Sequence, residues 1–324
     1  MRTLRAPLCF VLLAPLACPL PVMAQNYPEK NIRLVVAFTA SGSMSILALL
    51  ISEKLRKPLG QPVVVDFRPG AGGNLAAELA ARAPADGYTL LLTSPSIAIS
   101  PSVYQKLGYD GLRDFAPISL IATVPNVMTV HPSVPAKSLK ELVELAKAHP
   151  GKLNFGSSGV GSGGQLGGEL FRTLNRINIV HVPYKGSSFA MTAMISGEVD
   201  MVVSSVPATI PHINSGRLRG IAVLAPERVA ALPQVPTTAE AGMPKLVLIT
   251  WYGMFAPAGV KPEIVERLNA EIATLMHAPE MKSQLAKFGL DAATNTPSEF
   301  AKFVRSEMEK WARVIKEANI RVQQ

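Results

Sequence analysis

Two rhythms of apolar positions alternate along the chain. Residues 32–38 form a mostly apolar run, interrupted by Arg33, which reads as a buried strand, and residues 46–55 follow with apolar side chains at helical spacing. The order repeats with a strand at 62–66, a helix at 74–82 and a strand at 88–93. It restarts after about residue 125, where Ser138-Leu139-Lys140-Glu141 makes a capping box. The helix that box opens runs to residue 149 and ends at Pro150-Gly151. Further strands are expected at 153–155, 179–184, 199–204 and 218–224, with helices at 165–174 and 188–196. This alternation predicts mostly parallel sheets covered by helices. The two halves resemble each other in architecture, not in sequence.

The last part of the chain is helical. Pro262 suits a first helical position, ahead of a helix to about residue 276. Thr296-Pro297-Ser298-Glu299 combines an N-cap, a first-turn proline and a capping glutamate. The helix it starts carries Phe300, Phe303, Val304, Met308, Trp311 and Ile315 on one face. That stripe needs a partner, and we expect it to lie back on the first lobe. The chain then crosses between lobes twice, near residues 124–130 and 250–255. Lobe 1 is expected to comprise 25–124 plus 254–324, and lobe 2 125–253.

Length supports this division, because 324 residues exceed the usual size of one domain. With 48% apolar and 17% charged residues the composition is globular. Arg2 and Arg5, an apolar stretch over 8–20 and Val22-Met23-Ala24 form an export signal, cut after Ala24. The stretch is short for a membrane span and is broken by Pro15, Pro19 and Pro21. Cys18 follows a poor lipobox, with Pro15 where an aliphatic residue is wanted. Both cysteines, Cys9 and Cys18, lie in this segment, so the exported protein is expected to have no disulfide, thiolate nucleophile or cysteine metal site. The net charge of +9 would suit anionic ligands, but no basic run with interleaved aromatics points to nucleic acid.

Three glycine- and serine-rich turns fall between a strand and a helix: Thr39-Ala40-Ser41-Gly42-Ser43-Met44-Ser45, Arg68-Pro69-Gly70-Ala71-Gly72-Gly73-Asn74, and the run over 156–164. Ligands of open α/β sheets bind beyond the carboxyl ends of strands. A helix start there offers free N–H groups and about half a positive charge, so it can hold an anion without a cationic side chain. Glycine also serves plain tight turns. The third turn matches G-x-G-x-x-G through Gly159, Gly161 and Gly164, yet no acidic residue stands between 170 and 197 to hold a ribose.

Catalytic constellations are not found. No P-loop or G-x-S-x-G elbow occurs, and the five histidines (His131, His149, His181, His212, His277) show no metal-binding spacing. His181 reads as a hydrogen-bonded sheet residue rather than a base. Asp66 and Arg68 read as a turn ion pair. Lys185 suits either the cleft or solvent, and Trp251-Tyr252 suits either a cleft lining or hinge packing. We expect no catalytic residue, metal or cofactor.

Several motifs together carry a resemblance: Tyr27-Pro28-Glu29-Lys30-Asn31-Ile32-Arg33-Leu34-Val35-Val36, the Arg68 to Asn74 turn, Ala85-Asp86-Gly87-Tyr88-Thr89-Leu90, His131-Pro132-Ser133-Val134-Pro135, His181-Val182-Pro183-Tyr184-Lys185-Gly186 and Leu232-Pro233-Gln234-Val235-Pro236-Thr237. Through them the chain resembles the Bug-type extracytoplasmic solute receptors of tripartite tricarboxylate transporters. The resemblance implies a type II periplasmic binding protein fold, two α/β lobes joined by a two-crossover hinge. It implies a monomer in the periplasm that captures a small carboxylated molecule and delivers it to membrane transporter subunits. The ligand-binding positions it implies are Thr39, Ala40, Ser41, Gly42, Ser94 and Asn126, with Ser157, Ser158, Gly159, Gly163 and Ser205 in the second lobe. The family often has an acidic residue where this chain has Ser45 and Ser204, which favours a more anionic ligand here. An exported sensory co-receptor, or an enzyme of the same architecture acting on a small acid, are the alternatives.

Overall fold

The computed structural model describes residues 27–40 and 42–317. The expected signal segment, with Cys9 and Cys18, and the candidate ligand residue Ser41 lie outside the described residues.

The chain begins with β1 (Ile32–Val36), α1 (Ser43–Leu59), β2 (Val63–Phe67), α2 (Asn74–Ala81), β3 (Thr89–Thr93) and α3 (Ser96–Val103). A long strand, β4 (Phe115–Val130), follows. Then come α4 (Leu139–Ala148), β5 (Asn154–Ser157), α5 (Gly163–Asn175), β6 (Val180–Pro183), α6 (Ser187–Ile195), β7 (Met201–Ser205), α7 (Val206–Asn214) and β8 (Arg219–Val223). The last part holds β9 (Ile249–Pro257), α8 (Pro262–His277), α9 (Pro279–Ala286), β10 (Asp291–Ala292) and α10 (Pro297–Glu317).

Local chemistry explains the well-read elements. β1 and β3 are covered on both faces, so their sequences are mostly apolar rather than alternating, with Arg33 of β1 the charged exception, paired to Asp66. α1 buries Met44, Leu47, Ala48, Ile51 and Leu55 at helical spacing, while Lys54, Arg56 and Lys57 stay outside the core. Both N-caps form, and the Thr296 box closes reciprocally, whereas Glu141 accepts from Lys137 N rather than Ser138 N. Ser138 Oγ accepts from Glu141 N at 3.2 Å, and Glu299 Oε2 accepts from Thr296 N at 2.9 Å.

The two lobes share one strand order. In the first, β2-β1-β3 run parallel, and β9 lies antiparallel between β3 and β4, with β10 beyond. In the second, β6-β5-β7 run parallel, and β4 lies antiparallel between β7 and β8. The antiparallel strand of each lobe is thus a segment arriving from the other lobe. β4 changes partner within one step, since Pro125 still pairs with Ile249 while Asn126 pairs with Ser205. β9 pairs with the first sheet from Ile249 onward, and Leu248 N still bonds Leu224 O of the second lobe at 2.9 Å. The second crossing therefore precedes the 250–255 segment expected from sequence. We propose that lobe 1 ends at Pro125 and resumes at Ile249.

Sequence reasoning overlooked three helices. α3 is buried on several sides, with Ile97 and Ala98 in the lobe 1 core and Ile99 and Val103 in the lobe 2 core, so it shows no polar face. α7 is short and carries Pro211 in its interior, which reads as a helix breaker. α9 is a short helix that buries only Met281 and Leu285. The C-terminal helix also differs from expectation. Phe300 and Val304 lie in the lobe 1 core as expected, but Trp311 and Ile315 join the lobe 2 core beside Ile99 and Val103. At 21 residues α10 is about 30 Å long, enough to span from one core to the other.

Candidate functional site

Helix starts build the site. The β1–α1 turn brings Gly42 and Ser43 to the cleft, with Gly42 at φ 82° in the region that favours glycine. From lobe 2 come Ser162, Gly163 and Gly164 at the start of α5, Ser187 at the start of α6 and Ser205 as N-cap of α7. All of them line one cavity of about 100 Å³ between the lobes. Among the described residues, no Asp, Glu, Lys, Arg or His lines it. The first turns of α1, α5, α6 and α7 carry no acidic residue, so their positive ends face the cavity unneutralised by their own side chains.

The lobes touch around this cavity. Ser43 Oγ and Ser205 Oγ lie 2.8 Å apart across the cleft. Tyr104 donates to Val160 O at 3.0 Å, and a Cβ on Gly72 would come within 2.4 Å of that same carbonyl. Asn126, at the first crossing, donates to Leu248 O at 3.0 Å and Thr250 Oγ1 at 2.8 Å, tying the two crossing strands together. Tyr252 on β9 lines the cavity, and burial pushes its hydroxyl up to about 12, against a pull from the Ser43 hydroxyl. Tyr252 is therefore a neutral hydrogen-bonding group.

The 156–164 loop is internally braced. Ser157 Oγ accepts from Gly159 N at 3.2 Å and approaches His181 Nε2 at 2.7 Å. Ser162 Oγ donates to Gly159 O at 2.6 Å, and Gln165 Oε1 accepts from Gly161 N at 2.8 Å. Gly159 N, Gly161 N and Gly159 O are thus satisfied without a ligand.

Gly42, Ser94, Asn126, Ser157, Ser158, Gly163 and Ser205 come together on this cavity. Gly159 lines a second, adjoining cavity of about 240 Å³, walled by the Pro69 to Gly73 turn, Tyr104 and Pro183 to Gly186. Phe38 and Ser158 face both cavities. Thr39 and Ala40 line neither, because the β1–α1 turn presents Phe38 and Gly42 instead. Ser204 lines the first cavity, whereas Ser45 is buried in α1 away from it. Lys185 lines the second cavity. Asp66 pairs with Arg68 as expected, at 2.9 Å, and with Arg33. Trp251 turns into the hinge, where its indole donates to Glu307 at 3.0 Å. Sequence reasoning missed Phe38, Ser187 and Thr250. Only Ser187 had a readable signal, a Gly-Ser helix start after a strand, like the three turns that were noticed.

Two like-wired lobes, two strand crossings and a cleft ringed by helix starts define the type II periplasmic binding protein class. The profile described as the tripartite tricarboxylate transporter family receptor matches residues 47–320, and the chain belongs to this family. It is 36% identical over 304 residues to protein BugT of Bordetella pertussis, covering 93% of each chain. The solved structure of R. palustris Rpa4515 with adipate aligns at TM-score 0.87 with 36% identity, covering 90% of this chain and 98% of that one. MatC (Rpa3494) from Rhodopseudomonas palustris with bound malate aligns at 0.83 with 29% identity, covering 89% and 100%. The family is one of solute receptors, not enzymes, and works with membrane transporter components.

Proposed function

We propose that this chain is a periplasmic receptor that captures a small carboxylated molecule between its lobes and hands it to the membrane subunits of a tripartite tricarboxylate-type transporter. The observation that carries this reading is the convergence of α1, α5, α6 and α7 starts from both lobes on a cavity that no charged side chain lines among the described residues. Each helix start supplies roughly half a positive charge and free N–H groups. Hydroxyls of Ser43, Ser158, Ser187 and Ser205 add further donors on the lining. The adjoining cavity, with its proline, tyrosine and glycine walls, gives room for the rest of the molecule. The adipate and malate bound by two structural relatives support the carboxylate class.

Delivery rests on closure. A ligand that reaches donors on both lobes stabilises the arrangement in which Ser43 meets Ser205 and Tyr104 meets Val160. No helix among the described residues is long and apolar enough to cross a membrane. Export by an N-terminal signal cut after Ala24, and a monomeric state, complete the proposal. A thermal-shift screen of mono-, di- and tricarboxylates tests it. A true ligand at about 100 times its dissociation constant is expected to stabilise the fold by roughly 2.7 kcal/mol and to lower the radius of gyration in solution scattering. A screen in which no carboxylate raises the melting temperature overturns the proposal.

A further inference from the structure

His181 belongs to the His181-Val182-Pro183-Tyr184-Lys185-Gly186 motif, yet it does not line the ligand cavity. In the sheet register it sits beside Phe155 of β5, and the two rings stack with centroids 4.9 Å apart. From that position Nε2 reaches to 2.7 Å from Ser157 Oγ. Ser157 does line the cavity, although it is only 1% exposed.

What Ser157 can offer to a ligand follows from counting its bonds. A hydroxyl has one proton and two lone pairs. One lone pair accepts from Gly159 N at 3.2 Å. The proton has a resting acceptor in Gly159 O at 3.1 Å, but that carbonyl also receives the Ser162 hydroxyl at 2.6 Å. The direction of the bond to His181 then decides the rest. Were Nε2 the acceptor, the Ser157 proton would be held by the imidazole. The hydroxyl would be left with a bare lone pair, which repels an acid oxygen. When Nε2–H is the donor, both lone pairs are filled. The proton alone remains, and it can swing from Gly159 O to a ligand oxygen while Ser162 keeps the carbonyl satisfied.

We infer that His181 is held as the Nε2–H tautomer and donates to Ser157 Oγ, so that Ser157 faces the ligand only as a hydrogen-bond donor. His181 is thus a positioning residue for the acid group, and this inference rests on the carboxylate reading above. The uncharged ring is consistent with its surroundings, since burial pushes the imidazole down to about 4. The tautomer does what a second cation would do for selectivity, without placing a charge in the cleft.

Nitrogen NMR of the imidazole rings in the full chain near neutral pH tests the tautomer directly, with His181→Gln identifying the resonances among the five histidines. A protonated Nε2 and bare Nδ1, with or without ligand, is expected. A protonated Nδ1 with bare Nε2 overturns the inference. Binding of adipate as probe is the second arm. His181→Leu is expected to weaken it about fivefold, the worth of one neutral hydrogen bond. His181→Gln, whose amide N–H takes the place of Nε2–H, is expected to stay within about twofold of the parent. Equal losses in both variants reduce His181 to a packing residue and overturn the inference. If the parent protein binds neither adipate nor malate, the carboxylate reading fails, while the tautomer is still decided by NMR.

Discussion

Apart from Ile99, Val103, Trp311 and Ile315, the buried apolar side chains of lobe 1 form one cluster that runs from Ile32 on β1 through Phe255 on β9 to Phe300 on α10. Lobe 2 has the same strand order, but its buried apolar residues divide into separate clusters around Phe155, around Val223 and around Met194. The site is unequal in the opposite sense. Lobe 1 sends α1 and Ser94 to the cavity, whereas lobe 2 sends the starts of α5, α6 and α7 and the braced 156–164 loop. The contrast has a physical origin in α5. Gly167 and Gly168 let this helix lie close on the sheet, because a Cβ at Gly168 would come within 2.3 Å of the Phe155 ring and one at Gly167 within 2.6 Å of Val203. Each interior glycine costs about 1 kcal/mol of helix stability relative to alanine. Lobe 2 thus trades core continuity and helix propensity for donors placed at the cleft, and lobe 1 supplies the solid partner against which it closes.

The comparison can be broken first in the core. Phe300 is fully buried and packs on Gly253, Phe255 and Trp251. Phe300→Ala is expected to lower stability by roughly 3–5 kcal/mol, read by urea unfolding. It should leave adipate affinity of the folded protein close to that of the parent, because Phe300 is not among the residues that line the cavity. A large affinity loss in the folded variant would show that the lobe 1 core also shapes the site.

Acid offers a second, slightly smaller test. His181 of lobe 2 is half-buried and uncharged, and desolvation lowers its pKa from 6.5 to about 4. Between those values the unfolded chain takes up a proton that the folded chain refuses. Stability is therefore complete above about pH 6.5 and falls as pH drops toward 4, by roughly 3 kcal/mol in total. His212, also in lobe 2, is lowered by burial and by Arg217 and adds in the same direction. Urea midpoints at pH 7 and pH 5 should separate for the parent protein and draw closer together for His181→Gln, with His212 keeping a smaller gap. No convergence would remove His181 from the account of acid sensitivity.

The smallest test sharpens the electrostatic side. Ser204 lines the cavity and is uncharged. Ser204→Asp adds a negative charge near the helix starts and is expected to weaken adipate by about 1 kcal/mol, or about fivefold, measured by calorimetry. Unchanged affinity would mean that the helix starts do not set the charge preference of the cleft.

Much of this arrangement was legible along the chain. The apolar runs of β1, β2 and β3, the Ser138 and Thr296 caps, and the glycine turns before α1 and α5 are local signals, each complete within a few residues. The family resemblance, rather than these signals, implied the seven candidate positions that now share the cavity, from Gly42 to Ser205. Harder to read were α3, whose burial on several sides erases the polar face, and the end of the lobe 2 segment, which depends on which strand β9 pairs with.

By itself, the order of residues determined the lobes' α/β alternation, the helix caps and the type of group that could hold a ligand, because those depend on periodicity, backbone freedom and donor chemistry at short range. Tertiary structure alone decided that Ser43 meets Ser205, that Asn126 meets Thr250, and that His181 governs Ser157. The first two pairings join residues more than a hundred positions apart in the chain. The third depends on strand register, which puts His181 beside Phe155 on the neighbouring strand. No local pattern encodes such meetings, since they arise only when sheets, crossings and a bridging C-terminal helix pack together.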